Sequence, residues 1–265
     1  METAVATAPE AENNEKLYRF DQTEFDITFN ARPMAPKPAP ITHKLRRPTL
    51  DELMQWQRAA TYESIQVSKR ESEIKVDSEA ANIALWRKII VAVKGYDFGD
   101  GRPIGEFRSL SDDQKDQLSA AHKIAAVRGL HSSACEIDYE DAEDASVMVA
   151  NQTWRVKQSI RGDAFTVIHT LREPSEAERR KFNQNASSTS HLTGARKPRS
   201  TVKTNLKAYI ALYDALILDV EGGQVGPDAV LIDANRKAFL AQIDPILKQD
   251  VVQTLMAELD GSLQD

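Results

Sequence analysis

The residues best suited to chemistry in this chain are two histidines, His43 and His169, which occupy matching places in two similar stretches. Imidazole titrates near neutral pH, so a repeated pair invites general acid–base catalysis or metal binding. A nucleophilic mechanism also needs a base and a group to orient it, and no Asp, Ser or Cys recurs at the same spacing in the segments immediately around both histidines. Each histidine alternates instead with apolar residues, His43 between Ile41 and Leu45, His169 between Val167 and Leu171. That is the period of a strand with one buried face, so both imidazoles are expected to be structural and bonded within the fold.

Other matches are matches of letters only. Asp97-Phe98-Gly99 spells the magnesium motif of protein kinases, but no glycine-rich loop, strand lysine or catalytic loop accompanies it. Arg161-Gly162-Asp163 precedes a strand, where Gly-Asp is ordinary turn chemistry. Asp97 and Asp100 could bind calcium but lack the spacing of an EF-hand loop, and Asp138, Asp141 and Asp144 read as a solvated acidic linker rather than a metal site. Cys135 is the single cysteine, which excludes an intrachain disulfide and a cysteine metal cluster. The expectation is a protein with no catalytic residues, no metal and no cofactor.

Charged side chains give the remaining candidates. Arg46 and Arg172 lie on the strand face opposite the histidines, where they either pair with a helix carboxylate such as Glu52 or Glu178 or contact a partner. With Arg47 they are the candidate partner-binding residues. A basic run through Arg179, Arg180, Lys181, Arg196, Lys197 and Arg199, continuing to Lys203 and Lys207, is a candidate phosphate or partner contact. It lacks the aromatic platforms on which bases stack. The formal net charge of −6 further argues against nucleic acid as the main partner.

The elements that position these residues occur twice. ITHKLRRPTLDELMQWQRAAT (41–61) aligns without a gap on VIHTLREPSEAERRKFNQNAS (167–187), 126 residues later. ALWRKIIVAVKG (84–95) aligns on ALYDALILDVEG (211–222), 127 residues later, and 110–127 is loosely similar to 232–249. Each copy opens with a strand, stops at Pro48 or Pro174, and continues into a helix. Thr49 with Glu52, and Ser175 with Glu178, have the spacing of a capping box, in which the hydroxyl and the Glu satisfy each other's backbone N–H. Apolar stripes predict a second helix over 78–94 and over 201–220, and a third beginning near Ser111 and near Asp233, with Pro245 kinking or splitting the latter.

With 11 Gly and 11 Pro in 265 residues, helix breakers are scarce. The expected fold is α+β and predominantly helical, a tandem duplication of a small domain in which a short β element precedes three or four helices. The expected organisation is a disordered tail (1–16), a first copy (17–135) with a Pro-rich insertion (31–40), an acidic connector (136–150) and a second copy (151–262). FDITF (25–29) is a candidate additional strand, and 183–200 reads as a polar loop. The acidic N-terminus does not look like a signal peptide, and no apolar run reaches bilayer length, so a cytoplasmic protein is expected.

HKLRRPTLDEL (43–53) and HTLREPSEAER (169–179) resemble the opening signature of tail assembly chaperones of tailed phages, in which an apolar strand runs into Leu-Arg-x-Pro-Thr and an acidic-started helix. The resemblance covers about a dozen residues in each copy. It implies a non-enzymatic protein-binding factor for a phage tail or phage-like particle, acting in host cytoplasm or carried in the virion. Its partners would be other proteins, such as oligomeric particle subunits, with self-association open and no membrane involved. A structural subunit of a virion, and a nucleic-acid-associated adaptor using the basic 179–207 region, are the alternative readings.

Overall fold

The computed structural model describes residues 17–31, 39–66, 72–99, 105–139, 153–192, 199–226 and 231–261. The 1–16 tail, most of the Pro-rich insertion and most of the acidic connector therefore lie outside the described residues. In chain order the elements are β1 (Tyr18–Arg19), β2 (Glu24–Asn30), β3 (Pro40–Arg46), α1 (Leu50–Ala59), β4 (Thr61–Gln66), β5 (Ser72–Asp77), α2 (Glu79–Ile89), β6 (Ile90–Lys94), α3 (Asp112–Gln117), α4 (Ala120–Leu130) and β7 (Ser133–Ile137). They continue with β8 (Thr153–Ile160), β9 (Phe165–Arg172), α5 (Glu176–Asn185), β10 (Ser187–Leu192), β11 (Arg199–Thr204), α6 (Leu206–Leu216), β12 (Ile217–Glu221), β13 (Gly223–Gln224), α7 (Arg236–Gln242) and α8 (Pro245–Gly261).

This is a mixed α/β protein, and the expectation of a predominantly helical one is overturned. Two physical reasons account for the error. The second helix of each half stops early: α2 gives way at Ile90, and α6 at Ile217, to β-branched segments that hydrogen-bond to β3 and β9. The stretch read as a polar loop over 183–200 also holds β10 and the first residues of β11, joined antiparallel. Its strands are rich in Ser and Thr, so they carry no hydrophobic alternation for a sequence reader to find.

Apart from β1, β7 and β13, the order strand, strand, helix, strand, strand, helix, strand, helix, helix occurs once from β2 to α4 and again from β8 to α8. In the first half β2, β3 and β6 form an antiparallel sheet of order β2-β3-β6, and in the second the order is β12-β9-β8-β7. Each sheet buries one face against helices. Phe25, Leu45, Trp86, Ile89, Val93 and Val127 fill the first core. The larger second core holds Val156, Leu171, Tyr213, Leu216, Phe239 and Leu255.

Both capping boxes form, with Thr49 Oγ1 accepting from the Glu52 N–H at 3.3 Å and the Glu52 carboxylate accepting from the Thr49 N–H at 2.9 Å. Ser175 and Glu178 repeat the arrangement with the same distances. The last helix is split in both halves, at Leu118 and at Ile243, each in extended conformation. Pro245 follows one break only, so proline is not the general cause. The breaks place Lys123 and Lys248 each fourth in the helix that follows, 125 residues apart, a register three residues off the loose alignment of 110–127 on 232–249.

The two halves are interlocked. β7 belongs by position to the first half, yet it pairs with β8 of the second and supports α8, so the segment read as an acidic connector begins inside a strand at Glu136 and Ile137. β1 pairs in parallel with β13, and Phe20 is buried in the second core. Leu53, Leu206 and Ile246 form a third, small apolar cluster across the junction. Finally, the hairpin β4-β5 and the hairpin β10-β11 join into one four-stranded sheet of order β10-β11-β4-β5.

Candidate interaction site

His43 and His169 are fully buried, and their strands present them to equivalent helices. The Trp86 indole N–H donates to His43 Nδ1 at 2.9 Å, so the ring proton sits on Nε2 and faces the Tyr96 hydroxyl at 2.7 Å. Tyr96 in turn bonds His122 Nδ1 at 3.1 Å. In the second half Tyr213, at the place of Trp86, lies 2.8 Å from His169 Nδ1, and His169 Nε2 lies 3.1 Å from Gln158 Oε1. The Gln158 amide donates onward to the Leu247 carbonyl. Burial holds both imidazoles neutral, pushing each down to about 3.

Sequence reasoning missed the lysines that complete these clusters. Lys123 Nζ stands 5.3 Å from the Trp86 ring centre and Lys248 Nζ 5.4 Å from that of Tyr213, a cation–π arrangement at equivalent places. Both lysines are buried, and Lys248 also donates to Asp214 at 2.5 Å. The only available signal was the fourth position of the last helix, which becomes visible once the helix break is known. Both ring nitrogens of His43 and of His169 are engaged within the chain.

The three candidate partner arginines are also engaged within the chain. Arg46 grips Glu52 with both guanidinium nitrogens, at 2.9 and 2.6 Å, and reaches the carbonyls of Arg47 and Lys88. Arg172 does the same with Glu178, at 2.9 and 2.7 Å, and with the carbonyls of Glu173 and Ala215. One side chain thus ties the strand end, the start of the first helix and the last turn of the second, where a cation opposes the helix dipole. The guanidinium beside each carboxylate brings Glu52 and Glu178 down to about 2. Arg47 donates to the carbonyls of Phe20 and Gln242, clamping the first half to the second.

The basic run is dispersed. Arg179 is paired with Asp260 at 3.0 Å and Arg180 with Glu176 at 2.9 Å, while Lys181 is exposed on α5. Arg199 opens β11, and Arg196 and Lys197 lie outside the described residues. Among the described residues, no group of three or more His, Cys, Asp or Glu is placed to hold a metal ion, and no helix is long and apolar enough to cross a membrane. A polar cleft of about 450 Å³ lies where α1 and α5 approach, lined by Gln57, Arg58, Gln184, Asn185 and Asn205.

The remaining feature is made of backbone. In the shared sheet β11 and β4 are inner strands, and β5 and β10 stand at its edges, each with one hydrogen-bonding side unpaired among the described residues. Comparison with protein-family models, with curated proteins and with solved structures gives no match to the chain.

Proposed function

We propose that this chain is a non-enzymatic protein-binding factor that acts in building a multi-subunit particle, of which a phage tail or phage-like particle is the simplest instance. The observation that carries the reading is the sheet built jointly by the two hairpins, whose outer strands, β5 and β10, each keep one backbone edge unpaired among the described residues. An extended segment of another subunit can add to such an edge, with main-chain hydrogen bonds supplying affinity. Two edges in one chain can engage two sites of an oligomeric partner and gain avidity. The HxLRxP[TS] segments, which resemble the opening signature of tail assembly chaperones, support the same reading. The histidines, the side chains best suited to chemistry, are spent on internal bonds. Host cytoplasm, or the virion itself, is the setting this reading implies.

A photo-crosslinking residue placed at Ile74 or at Thr189 tests it in extract from the native source. The expected product is a covalent adduct with a tail, tube or other repetitive particle subunit, absent when the probe sits at Lys115 on α3. Adducts with metabolic enzymes alone, or none at either edge, would overturn the proposal. The alternative, that the chain is itself a structural subunit, is favoured by the relation between the two edges developed next. The adaptor reading through 179–207 has less support, because Arg179 and Arg180 already hold carboxylates.

A further inference from the structure

The four-stranded sheet is not symmetric about its middle. β4 and β10 are equivalent six-residue strands 126 residues apart, and β5 and β11 are equivalent six-residue strands 127 residues apart. The extra residue falls between the strands, with five residues separating β4 from β5 and six separating β10 from β11. In the order β10-β11-β4-β5, the second strand of one hairpin therefore pairs with the first strand of the other. This is a head-to-tail contact, and it leaves a first strand, β10, open at one edge and a second strand, β5, open at the other. Those are the two strand types that the β11-β4 contact already joins. The alternation of directions also fits, because every neighbouring pair in the sheet is antiparallel and a further β10 beside β5 continues it.

We propose that copies of this chain associate head to tail through their sheets, β5 of one copy pairing antiparallel with β10 of the next, in the register that β11 and β4 use within the chain. The proposal deepens the structural-subunit alternative named above, on which it rests, and names a second copy of the chain as the occupant of both edges. Intrachain pairing sets Arg199, Ser200, Thr201 and Val202 opposite Ile65, Ser64, Glu63 and Tyr62. Carried to the equivalent positions, Ser72, Glu73, Ile74 and Lys75 of one copy face His191, Ser190, Thr189 and Ser188 of the next. A heterologous contact of this kind closes into a ring if its rotation allows and otherwise extends as a filament. Strands of six residues with sequences SEIKVD and SSTSHL are short and polar, so the contact rests on backbone hydrogen bonds and assembles reversibly with concentration.

Cysteine pairs test both the partner and the register. The full chain carries Ile74→Cys with Thr189→Cys, or Glu73→Cys with Ser190→Cys, the two pairs together sampling both faces of the strands. Within one chain the two sites are three strand spacings apart, about 14 Å, too far for a disulfide, which needs Cα atoms within roughly 7 Å. Mild oxidation is expected to give a ladder of dimers, trimers and higher species that collapses on reduction. The parent, with Cys135 alone, and the mismatched pair Ile74→Cys with Ser190→Cys, are expected to stay monomeric on the same gel. Sedimentation of the unmodified chain should show average mass rising with concentration. Three results would overturn the proposal: no covalent species above monomer from either matched pair in folded protein, equal crosslinking by the mismatched pair, or dimers that stop at two and form as well with Ile74→Cys alone. If self-crosslinking fails while the photo-probes at these edges still trap a particle subunit, head-to-tail self-assembly is excluded and the assembly-factor reading survives.

Discussion

Trp86 and His43 are joined by an indole N–H donating to imidazole Nδ1 at 2.9 Å, and the position of Trp86 recurs as Tyr213 against His169. The donor has changed from an indole to a phenol, while the geometry of an aromatic on the helix holding the strand's imidazole is retained. A buried polar group costs stability unless it is bonded, so the two networks act as a register device: a one-residue slip of β3 or β9 would turn the imidazole away from its partners and leave the buried aromatic donor unpaired.

Stability should therefore fall as pH drops below about 6.5, the ordinary histidine value. The native imidazoles stay neutral until about pH 3, whereas unfolded histidines take up protons from about 6.5 downward, so acid favours the unfolded chain. Each histidine contributes a slope of up to about 1.4 kcal/mol per pH unit between those values. Asp250 has the opposite sign: burial raises it to about 6, so from there down to the ordinary Asp range it offsets about one histidine. Glu52 and Glu178, held near 2 by their arginines, add acid lability below about 4.5. Urea unfolding at pH 7.5, 6.5, 5.5 and 4.5 should show the loss setting in below about pH 7, held to about one histidine's slope between pH 6 and 5, and steepest towards pH 4.5 where the two glutamates join. His169→Gln should remove more than half of the fall between pH 7.5 and 6.5, and a native chain equally stable at pH 7.5 and 5 would contradict the account.

The Arg46–Glu52 and Arg172–Glu178 clamps make a prediction about residue type. Both guanidinium nitrogens and two carbonyl acceptors are used on each, a geometry that a single ammonium cannot copy. The arginines are more than a third exposed, so solvent screens part of the interaction. Arg172→Ala is expected to cost about 1–2 kcal/mol in urea unfolding, and Arg172→Lys should recover little of it. A lysine variant as stable as the parent would reduce the clamp to simple charge pairing. Because these arginines are held by carboxylates and carbonyls within the chain, loss of partner binding in Arg46→Ala/Arg172→Ala should track loss of stability.

How much of this was legible in the sequence depended on whether a residue's partner was local. The capping boxes, the strands around His43 and His169, and the Arg–Glu pairs all join residues fewer than ten positions apart, and spacing alone suggested them. Strand β8 was overlooked although Trp154, Val156, Gln158 and Ile160 alternate, because Gln158 and the flanking charges blur the apolar count. β10 and β11 could not be read at all, since strands of Ser, Thr and Lys are specified by the backbone partner beside them. The lysines under Trp86 and Tyr213 were hidden by a helix break that extended backbone at Leu118 and Ile243 creates without any breaker residue at the break itself.

Gly95 and Gly222, aligned in sequence, should prove intolerant of any side chain. Both have positive φ, +90° and +77°, and a Cβ at these sites would stand 2.6 Å from the Pro40 carbonyl and 2.3 Å from that of Thr166. Gly162 also has positive φ, +63°, but open space around it. Gly162→Ala is expected to cost about 1 kcal/mol, the conformational penalty alone. Gly222→Ala should cost clearly more, because a backbone carbonyl of β9 must move. Equal urea midpoints for the two variants would mean that the turn after β12 adapts freely.

The thiol of Cys135 reports on the docking of the two halves. Cys135 lies on β7, which pairs with β8 and packs under α8, and Ser133 on the same strand donates to Asp250 of that helix. Burial, reinforced by the nearby Asp250 charge, pushes the thiol up to about 12, so at neutral pH it is neither ionised nor well presented. A disulfide-exchange reagent such as Ellman's should label the native chain slowly and the urea-unfolded chain completely. Ser133→Ala removes the hydroxyl donor and leaves the Asp250 carboxyl with one bond fewer, so labelling should quicken as β7 parts more often from α8. Tyr139 also reaches across, donating to Glu258 at 2.5 Å from just beyond β7, and Tyr139→Phe should act in the same direction but more weakly because that bond is exposed. If native Cys135 reacts at the rate of a free thiol, β7 is not held against α8 in solution, and the strand belongs to a looser linker between the halves.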